Sequence, residues 1–241
     1  MSPIYTLGKL VLKKDSVATD PNTDPNFANV SLLLYGNGIN GSTSIIDSSP
    51  SPKTVTAFGN AQISTAQSKF GGASIAFDGT GDYLTVPANS DFVFSTNNFT
   101  IEGWVFPTQH DARNTIVSSY PGAGSGNWIV TLESGKLSLY LFPNATFNFT
   151  WTTTTTFPLN EWSNFAITRE SNTWRLFYNG TIENTSTQTT AMGNLNQVRI
   201  GSYLSAPLAF FNGYIADLRI TKGVARYNAA FTPPTVAFPD I

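Results

Sequence analysis

The feature that most constrains the fold is a succession of short apolar or alternating runs, each bounded by Gly, Asn, Asp or Pro. Such runs are typical of β-strands, and their repeated interruption by turn residues is typical of a sandwich or barrel. Apolar residues at helical spacing are almost absent. We therefore predict an all-β chain, with strands at Val30–Tyr35, Ser74–Phe77, Tyr83–Val86, Phe99–Phe106, Thr115–Ser119, Trp128–Leu132, Lys136–Phe142, Glu161–Arg169, Thr173–Tyr178, Gln197–Ile200 and Gly213–Thr221.

Two runs carry further information about their place in a sheet. Within Thr100–Phe106, small and aliphatic residues alternate with Glu102 and two aromatic residues, so both faces are largely apolar. This pattern predicts a central strand that is covered on both sides. The β-branched run Thr152–Thr156 predicts a strand or an extended rim segment.

Two dipeptides predict tight turns. Asp78–Gly79 and Asn179–Gly180 each lie between two apolar runs, which is the strongest short-range signal for a hairpin. Across the first of these hairpins, Phe77 and Tyr83 are expected to meet on one face.

Composition excludes several classes of function. Only 12% of the 241 residues are charged, and the net charge of −2 gives no basic footprint for nucleic acid. The chain has no cysteine, which excludes disulfides, thiol catalysis and cysteine-bound zinc. No apolar run approaches the roughly 20 residues of a membrane span. We therefore expect neither nucleic-acid binding nor membrane insertion.

Residues 1–28 differ from the rest and are predicted to form an N-terminal arm and linker, ahead of a sandwich over residues 29–241. Asp15–Pro25 is rich in Asp, Pro, Asn and Thr, which is typical of a linker. Ile4–Leu12 is a short strand-like piece that could dock on its own sheet or on a neighbour's. Its candidate attachment residues are Ile4, Tyr5, Leu7, Leu10 and Leu12.

Four segments, in the same order along the chain, resemble laminin-G-like, concanavalin-A-like domains. They are Phe70–Val86, Phe99–Phe106, Glu161–Gly180 with its W-x-x-h-A-h-x-R pattern (h is apolar), and Gly213–Pro234. The resemblance covers roughly residues 30–239 and implies a two-sheet antiparallel jelly-roll sandwich. Trp104, Trp162 and Phe165 are then expected to fill the space between the sheets.

The last segment, with RITKGVARY leading to FTPP, is most similar to the variant found in tailed-phage virion proteins, many of them from marine and cyanobacterial phages. This similarity implies a capsid-decoration, knob or tail-fibre component. It would be made in the host cytoplasm, because the N-terminus lacks the order of a signal peptide, and displayed on the virion surface. The implied partners are other capsid or tail proteins, further copies of the chain and surface glycans.

Catalysis is not favoured by the residues present. His110 is the single histidine, and Asp111 is only its chain neighbour, so a Ser–His–acid site has little support. Glycoside hydrolysis needs two carboxylates at a defined separation, and no E-x-D-x-x-E spacing occurs. Glu102 beside Trp104 could be an acid next to a sugar platform, but a structural role is the better interpretation.

Calcium is the one metal to consider, because it takes oxygen ligands and relatives of this kind often carry it at the sandwich edge. Asp78 and Asp82 share a turn, and Asp217 lies in the closing strand. Ala216 stands where metal-bound relatives often show an acidic residue, which weakens the case. The alternative is that Asp78 and Asp82 stabilise turns by accepting backbone hydrogen bonds.

Carbohydrate is the commonest ligand class that the resemblance implies. The segment Ser119–Trp128 is the best candidate site, with Tyr120, Asn127 and Trp128 as its binding residues. Phe147, Phe149 and Trp151 form a second alternating aromatic face, and for Trp151 a place in the core is favoured.

Three functions therefore remain open. The first is a non-enzymatic virion structural protein whose sandwich faces outward. The second is a free, extracellular carbohydrate-binding or adhesion module, and the third is a polysaccharide lyase or hydrolase.

Overall fold

A computed structural model describes residues 23–120, 126–144, 149–203 and 209–241. Its helical residues form two 3-10 turns, at Phe27–Asn29 and Ser90–Phe92, and most of the regular structure is strand. The predicted strand Ile4–Leu12 lies outside the described residues. The all-β prediction is confirmed.

Fifteen strands occur in the described ranges. They are β1 Val30–Leu34, β2 Thr56–Phe58, β3 Gln62–Ser64, β4 Ser74–Asp78, β5 Tyr83–Val86, β6 Phe99–Pro107, β7 Asn114–Ser119, β8 Asn127–Glu133, β9 Lys136–Phe142, β10 Phe149–Thr156, β11 Ser163–Glu170, β12 Thr173–Tyr178, β13 Thr181–Thr187, β14 Val198–Ile200 and β15 Asn212–Lys222. Each strand predicted within the described ranges from Val30–Tyr35 onward appears, with its ends shifted by at most two residues. The polar run Thr152–Thr156 is the second half of β10.

The strands form two antiparallel sheets, as a jelly-roll sandwich requires. The first sheet has eight strands in the order β13-β12-β11-β6-β15-β4-β3, with β1 paired to β15 beyond the end of β4. The second sheet has seven strands in the order β10-β9-β8-β7-β14-β5-β2. The long strand β15 thus joins β6 along one side to β4 and β1, end to end, on the other.

The main core lies between the two sheets and follows the period of two residues along each strand. On β6, Phe99, Ile101 and Val105 point into this core, and Phe165 on β11 packs with them. The expected core position of Phe165 is confirmed. Each sheet has a second, outer face, turned away from the other sheet.

Trp104 and Trp162 were expected between the sheets, and this expectation is wrong. Trp104 alternates with the core residues of β6, so its ring lies on the outer face of the first sheet. There it packs edge-on against Phe70, with the Lys69 Nζ 3.8 Å from its ring centroid. Trp162 packs beside Phe106 on the same face. Side chains alternate between the two faces of a strand, so Trp104, two residues after Glu102, lies on the same outer face as Glu102.

Only one of the two predicted hairpins is present. Asn179 and Gly180 both have positive φ and connect β12 to β13, as a two-residue hairpin turn requires. Asp78–Gly79 instead leads from β4 in the first sheet to β5 in the second, so Phe77 and Tyr83 do not meet across a hairpin.

The outer face of the first sheet is covered by both ends of the described chain. Glu102 is buried there, and its Oε1 accepts hydrogen bonds from Arg219 Nε at 3.0 Å and Nη2 at 2.8 Å, while its Oε2 accepts from the Tyr227 hydroxyl at 2.7 Å. Arg219 Nη1 also donates to Asp24 Oδ2 at 3.1 Å. Arg226 forms a two-point contact with Asp24, with distances of 2.9 and 2.7 Å.

This buried charge network corrects the position of the arm. Residues 23–28 were assigned to the linker, but Asp24 is buried within the network and its amide donates to the Ile241 carbonyl oxygen at 2.7 Å. Residues from Asp24 onward therefore pack as part of the sandwich.

We predict that Glu102→Ala lowers the free energy of unfolding by about 3–5 kcal/mol, because it leaves the buried Arg219 without its main counter-charge. The matched control is Glu170→Ala, which breaks an exposed ion pair with Arg175 and should change stability by less than about 1 kcal/mol. Chemical denaturation measures both. Equal effects of the two substitutions would contradict the proposed role of the network.

Candidate functional site

The outer face of the second sheet carries a group of aromatic side chains around one arginine. Leu139 and Leu141 of β9 point into the core, so Tyr140 and Phe142 point outward between and beyond them. Three further residues from the ends of other elements join them. The set, here named the tyrosine–arginine cluster, comprises Arg113, Tyr120, Tyr140, Phe142 and Tyr203.

The rings of the cluster form a continuous aromatic surface. The Tyr120 ring centroid lies 4.6 Å from that of Phe142 and 5.8 Å from that of Tyr203. Tyr140 and Phe142 are nearly parallel, with centroids 6.4 Å apart. Rings arranged in this way present flat apolar faces together with hydroxyl groups at the edge.

The Arg113 guanidinium group contacts two tyrosines of the cluster. Its Nη1 donates to the Tyr203 hydroxyl at 3.0 Å and its Nη2 to the Tyr140 hydroxyl at 3.3 Å. The guanidinium carbon also lies 4.7 Å from the Tyr140 ring centroid, a distance typical of a cation–π contact. The Arg113 side chain is thus fixed in place by contacts from two strands and a loop.

Glu133 balances the charge of Arg113. Its Oε1 lies 3.5 Å from Arg113 Nε, and its Oε2 accepts a short hydrogen bond from the Tyr140 hydroxyl. Burial raises the pKa of Tyr140, and the hydrogen bond to Glu133 raises that pKa further. The Tyr140 hydroxyl therefore stays protonated and remains a donor at neutral pH.

A surface cavity of about 160 Å³ opens between these residues and is floored by Ile129. Its walls combine aromatic faces with tyrosine hydroxyl groups and the guanidinium group of Arg113. A small polar ring with apolar C–H faces, such as a sugar, can stack on the rings and bond at its edge.

Of the three residues predicted to bind sugar, only Tyr120 belongs to the cluster. Trp128 was predicted wrongly: its position on β8 points inward, and its ring is fully buried in the core near Phe94. Asn127 is also buried, and its Oδ1 accepts from the side chains of Asn194 and Asn196, so it is not a surface contact.

In the second aromatic run, Trp151 lies in the core as predicted. Its ring packs against that of Trp174, with centroids 5.4 Å apart. Phe149 is half-buried against the same core, and Phe147 lies outside the described residues. The run Tyr140–Phe142, by contrast, was recognised only as part of a strand. Its alternation with leucines is the signal that could have placed both rings on one outer face.

Asp78 and Asp82 stabilise the turn between β4 and β5. Asp82 is buried, and its two oxygens accept the backbone N–H groups of Asn60 and, at 2.8 Å, Asp78. Asp78 Oδ1 accepts from the Thr80 amide at 2.7 Å. Burial raises the pKa of Asp82 above its ordinary value. These contacts match the turn-stabilising interpretation.

Asp217 does not join them. It lies at the irregularity between Ala216 and Arg219 with φ of 49°, and its Oδ2 accepts the Phe238 amide at 3.0 Å. Of the three predicted calcium ligands, Asp78 and Asp82 thus share a turn, and Asp217 lies apart from them. Across the described residues, no three His, Asp or Glu side chains are placed to hold one metal ion.

The residues considered for catalysis are also separated. His110 is exposed, and its Nε2 lies 2.8 Å from the Phe157 carbonyl oxygen, while Asp111 accepts from Gln109 at 2.6 Å. Asp111 therefore does not orient the imidazole. Glu102 is buried in the charge network and cannot reach a ligand. No helix in the described ranges is long and apolar enough to cross a membrane.

Residues 78–237 match the family described as the concanavalin A-like lectin/glucanases superfamily. The chain belongs to this superfamily. The expected resemblance to laminin-G-like and concanavalin-A-like domains is thereby confirmed, as is the jelly-roll sandwich. No curated protein sequence matches the chain.

Several solved structures share the fold of this chain. The binding domain of Paraclostridial Mosquitocidal Protein 1 has a TM-score of 0.65 at 16% identity, covering 83% of this chain and 50% of that domain. A botulinum neurotoxin type C structure, reported with cell entry dependent upon two ganglioside molecules, has a TM-score of 0.60 at 15% identity, covering 83% and 49%. This concanavalin A-like chain thus spans about half the length of the toxin structures it matches.

A third structure matches over nearly its whole length. Domain 4 of AbnA, a GH43 extracellular arabinanase from Geobacillus stearothermophilus solved in complex with arabinotriose, has a TM-score of 0.62 at 19% identity. The match covers 82% of this concanavalin A-like chain and 94% of that domain. At these identities the likeness establishes the fold.

We predict a pH-dependent contribution to stability from Asp217. Burial raises the pKa of its carboxyl to about 7 from an ordinary value of 3.8, and nearby Glu102 adds to the rise. Between these two values the folded chain holds a proton that the unfolded chain has released, so stability falls as the pH rises through this window.

Asp217→Asn should remove this part of the pH dependence. Asn keeps an oxygen for the Phe238 amide and tolerates positive φ. The variant should be more stable than the native chain above pH 7, by on the order of 3 kcal/mol, and similar to it near pH 4. Denaturation at several pH values measures this, with the exposed Glu161→Gln as control. An unchanged pH profile in Asp217→Asn would contradict the assignment.

Proposed function

We propose that this protein is a non-enzymatic, glycan-binding structural component of a virion, such as a capsid-decoration, knob or tail-fibre protein. The observation that carries the binding half of the proposal is the tyrosine–arginine cluster on the outer face of the second sheet. Arg113, Tyr120, Phe142 and Tyr203 are partly exposed, so a ligand can reach them, unlike the buried Trp128.

The chemistry of the cluster supports a sugar ligand. Tyr120, Phe142 and Tyr203 offer faces for the C–H groups of a pyranose, and the Arg113 guanidinium and the tyrosine hydroxyls offer hydrogen-bonding groups for its hydroxyls. Two proteins of the same fold are described with such ligands: arabinotriose for AbnA domain 4 and gangliosides for the type C neurotoxin. Binding of surface glycans is the function we propose for this chain as well.

The absence of catalysis is part of the proposal. Hydrolysis of a glycosidic bond calls for two carboxylates, one on each side of the scissile bond. Among the described residues, no carboxylate lines the cavity. The nearest one, Glu133, is engaged by Arg113 and Tyr140.

The virion setting rests on the C-terminal segment and the N-terminal arm. The segment that resembles tailed-phage proteins contains Arg219, Arg226 and Tyr227, which fasten the chain end to the first sheet. Residues 1–22 would attach the sandwich to a capsid or tail protein, or to another copy of the chain, through Ile4–Leu12 added to a sheet edge.

The likeness to AbnA domain 4 favours, as the second candidate, a free extracellular carbohydrate-binding module.

Glycan binding should depend on the cluster. We expect Tyr120→Ala and Tyr203→Ala each to weaken binding about tenfold, because each removes a ring face from the sugar. A glycan array identifies the ligand, and calorimetry with that ligand measures the affinities. Tyr214→Ala is the matched control, since it removes a half-buried tyrosine from the outer face of the first sheet.

Two results would overturn the binding half of the proposal. One is a wild-type protein that binds no glycan on the array. The other is that Tyr120→Ala and Tyr203→Ala bind the identified ligand as tightly as the control Tyr214→Ala does.

Attachment should depend on the arm alone. We expect deletion of residues 1–22 to leave the thermal midpoint unchanged and to abolish incorporation into particles. The cut is placed before Asp24 so that the buried charge network stays intact. Mass spectrometry of purified particles measures incorporation, and replacement of Leu7 and Leu10 by Ser in the full chain tests the apolar contacts. Normal incorporation of the shortened chain would argue for the free module instead.

A further inference from the structure

A second, larger cavity lies beside the tyrosine–arginine cluster, where the loop after β6 meets the start of β15. This cavity, here named the rim cavity, has a volume of about 300 Å³ and is lined in part by Gln109, Asp111, Arg113, Phe210 and Asn212. Arg113 also lines the cavity of the cluster, so the two cavities share one wall. A ligand bound at the cluster therefore lies next to the rim cavity.

The cavity of the cluster is small for a saccharide site. Its volume of about 160 Å³ is below the roughly 300–1,000 Å³ that is usual for small-molecule sites. When the rim cavity is included, the available space falls within that range. A chain of two or more sugar rings across Arg113 thus matches this surface better than a single sugar does.

The loop over residues 108–113 is anchored before any ligand arrives. The Ser134 amide donates to the Asp111 carbonyl oxygen at 3.2 Å. The buried Asn114 donates through its Nδ2 to the Gln109 carbonyl oxygen at 2.6 Å. Because these contacts fix the backbone on both sides of the loop, binding costs little conformational freedom.

The polar side chains of the rim cavity form a chain of hydrogen bonds. Thr108 Oγ1 donates to Asn212 Oδ1 at 2.7 Å, and Asn212 Nδ2 donates to Gln109 Oε1 at 3.4 Å. Gln109 Nε2 in turn donates to Asp111 Oδ1 at 2.6 Å. These bonds orient both amides and use one N–H of each. Among the described residues, the second N–H of each amide and the Asp111 Oδ2 are left for sugar hydroxyls.

Phe210 supplies an apolar wall to the same cavity. Its side chain is partly exposed, whereas the next residue, Phe211, is fully buried in the core. An aromatic ring beside amide and carboxylate groups suits a sugar, which combines C–H faces with hydroxyl edges.

The charges of the combined surface disfavour an acidic ligand. Arg113 is balanced by Glu133, whose Oε1 lies 3.5 Å from its Nε. Within the described ranges, no cationic group lies within 4 Å of the Asp111 carboxylate. The surface therefore has one carboxylate in excess, and Asp111 would repel a carboxylate or sulfate carried by a sugar.

We propose that the bound glycan continues from the tyrosine–arginine cluster across Arg113 into the rim cavity. The ligand is then a neutral oligosaccharide of at least two sugar rings, and Gln109, Asp111 and Asn212 bind the hydroxyls of its second ring. This inference rests on the proposed glycan-binding function and narrows the ligand class for that site.

The test uses an array of neutral glucans, galactans and arabinans and of acidic alginate and heparin chains, each with one, three or six sugar residues. We expect wild type to bind neutral trimers and hexamers more tightly than single sugars or acidic chains. Calorimetry with the tightest neutral trimer then compares the variants, and thermal denaturation checks that each is folded.

Two substitutions in the rim cavity should weaken binding of the neutral trimer. Asp111→Asn keeps an oxygen for Gln109 but replaces the free acceptor with a donor, so affinity should fall about tenfold, and the preference over acidic chains should narrow. Gln109→Ala should lower the affinity about threefold or more. Neither variant should change binding of single sugars on the array. Glu170→Gln, which removes an equal charge at the far end of the first sheet, is the control.

The outcomes separate this inference from the function on which it rests. Loss of trimer affinity in both variants, with single sugars unaffected, supports the rim cavity as the second subsite. If Asp111→Asn and Gln109→Ala bind the trimer like Glu170→Gln while Tyr120→Ala loses affinity, or if wild type prefers acidic chains, this inference is wrong and glycan binding stands. If wild type binds no glycan on the array, both proposals fall together.

Discussion

The rest of the structure depends on the pairing of Glu102 with Arg219 beneath the chain ends. A carboxylate buried in the middle of a sheet face is tolerated only when its partner and its hydrogen bonds are complete. Here they are completed by Tyr227 from the C-terminal segment and, through Arg219, by Asp24 from the N-terminal one. The network therefore requires both ends to lie on the first sheet, and the ends in turn keep water from the network.

This arrangement gives the sandwich two different outer faces. The outer face of the first sheet is covered by both ends of the described part of the chain, including Asp24 and the C-terminal segment. The outer face of the second sheet carries the tyrosine–arginine cluster. The two outer faces lie on opposite sides of the sandwich, because the core fills the space between the sheets.

The sequence was sufficient for the strands, because alternation and turn residues are local signals. It was not sufficient for their pairing: Asp78–Gly79 has hairpin chemistry but connects two sheets, and only long-range contacts decide that. The short strands β2 and β3 and the polar edge strand β13 were missed, because they carry too little apolar pattern to be seen. Trp104 was misplaced because both faces of β6 are apolar, and composition alone does not say which one meets the other sheet.

The candidate sites were harder to predict for the same reason. Tyr120 could be found, because it adjoins a Gly-rich loop, but Arg113 and Tyr203 are 90 positions apart and meet only through the pairing of β7 with β14. That pairing also brings Arg199 onto the face that holds Tyr140. The two arginines look alike in the sequence. Only the fold gives Arg113 a carboxylate partner and, among the described residues, gives Arg199 none within 4 Å, so the difference between the two is a property of the assembled sheet.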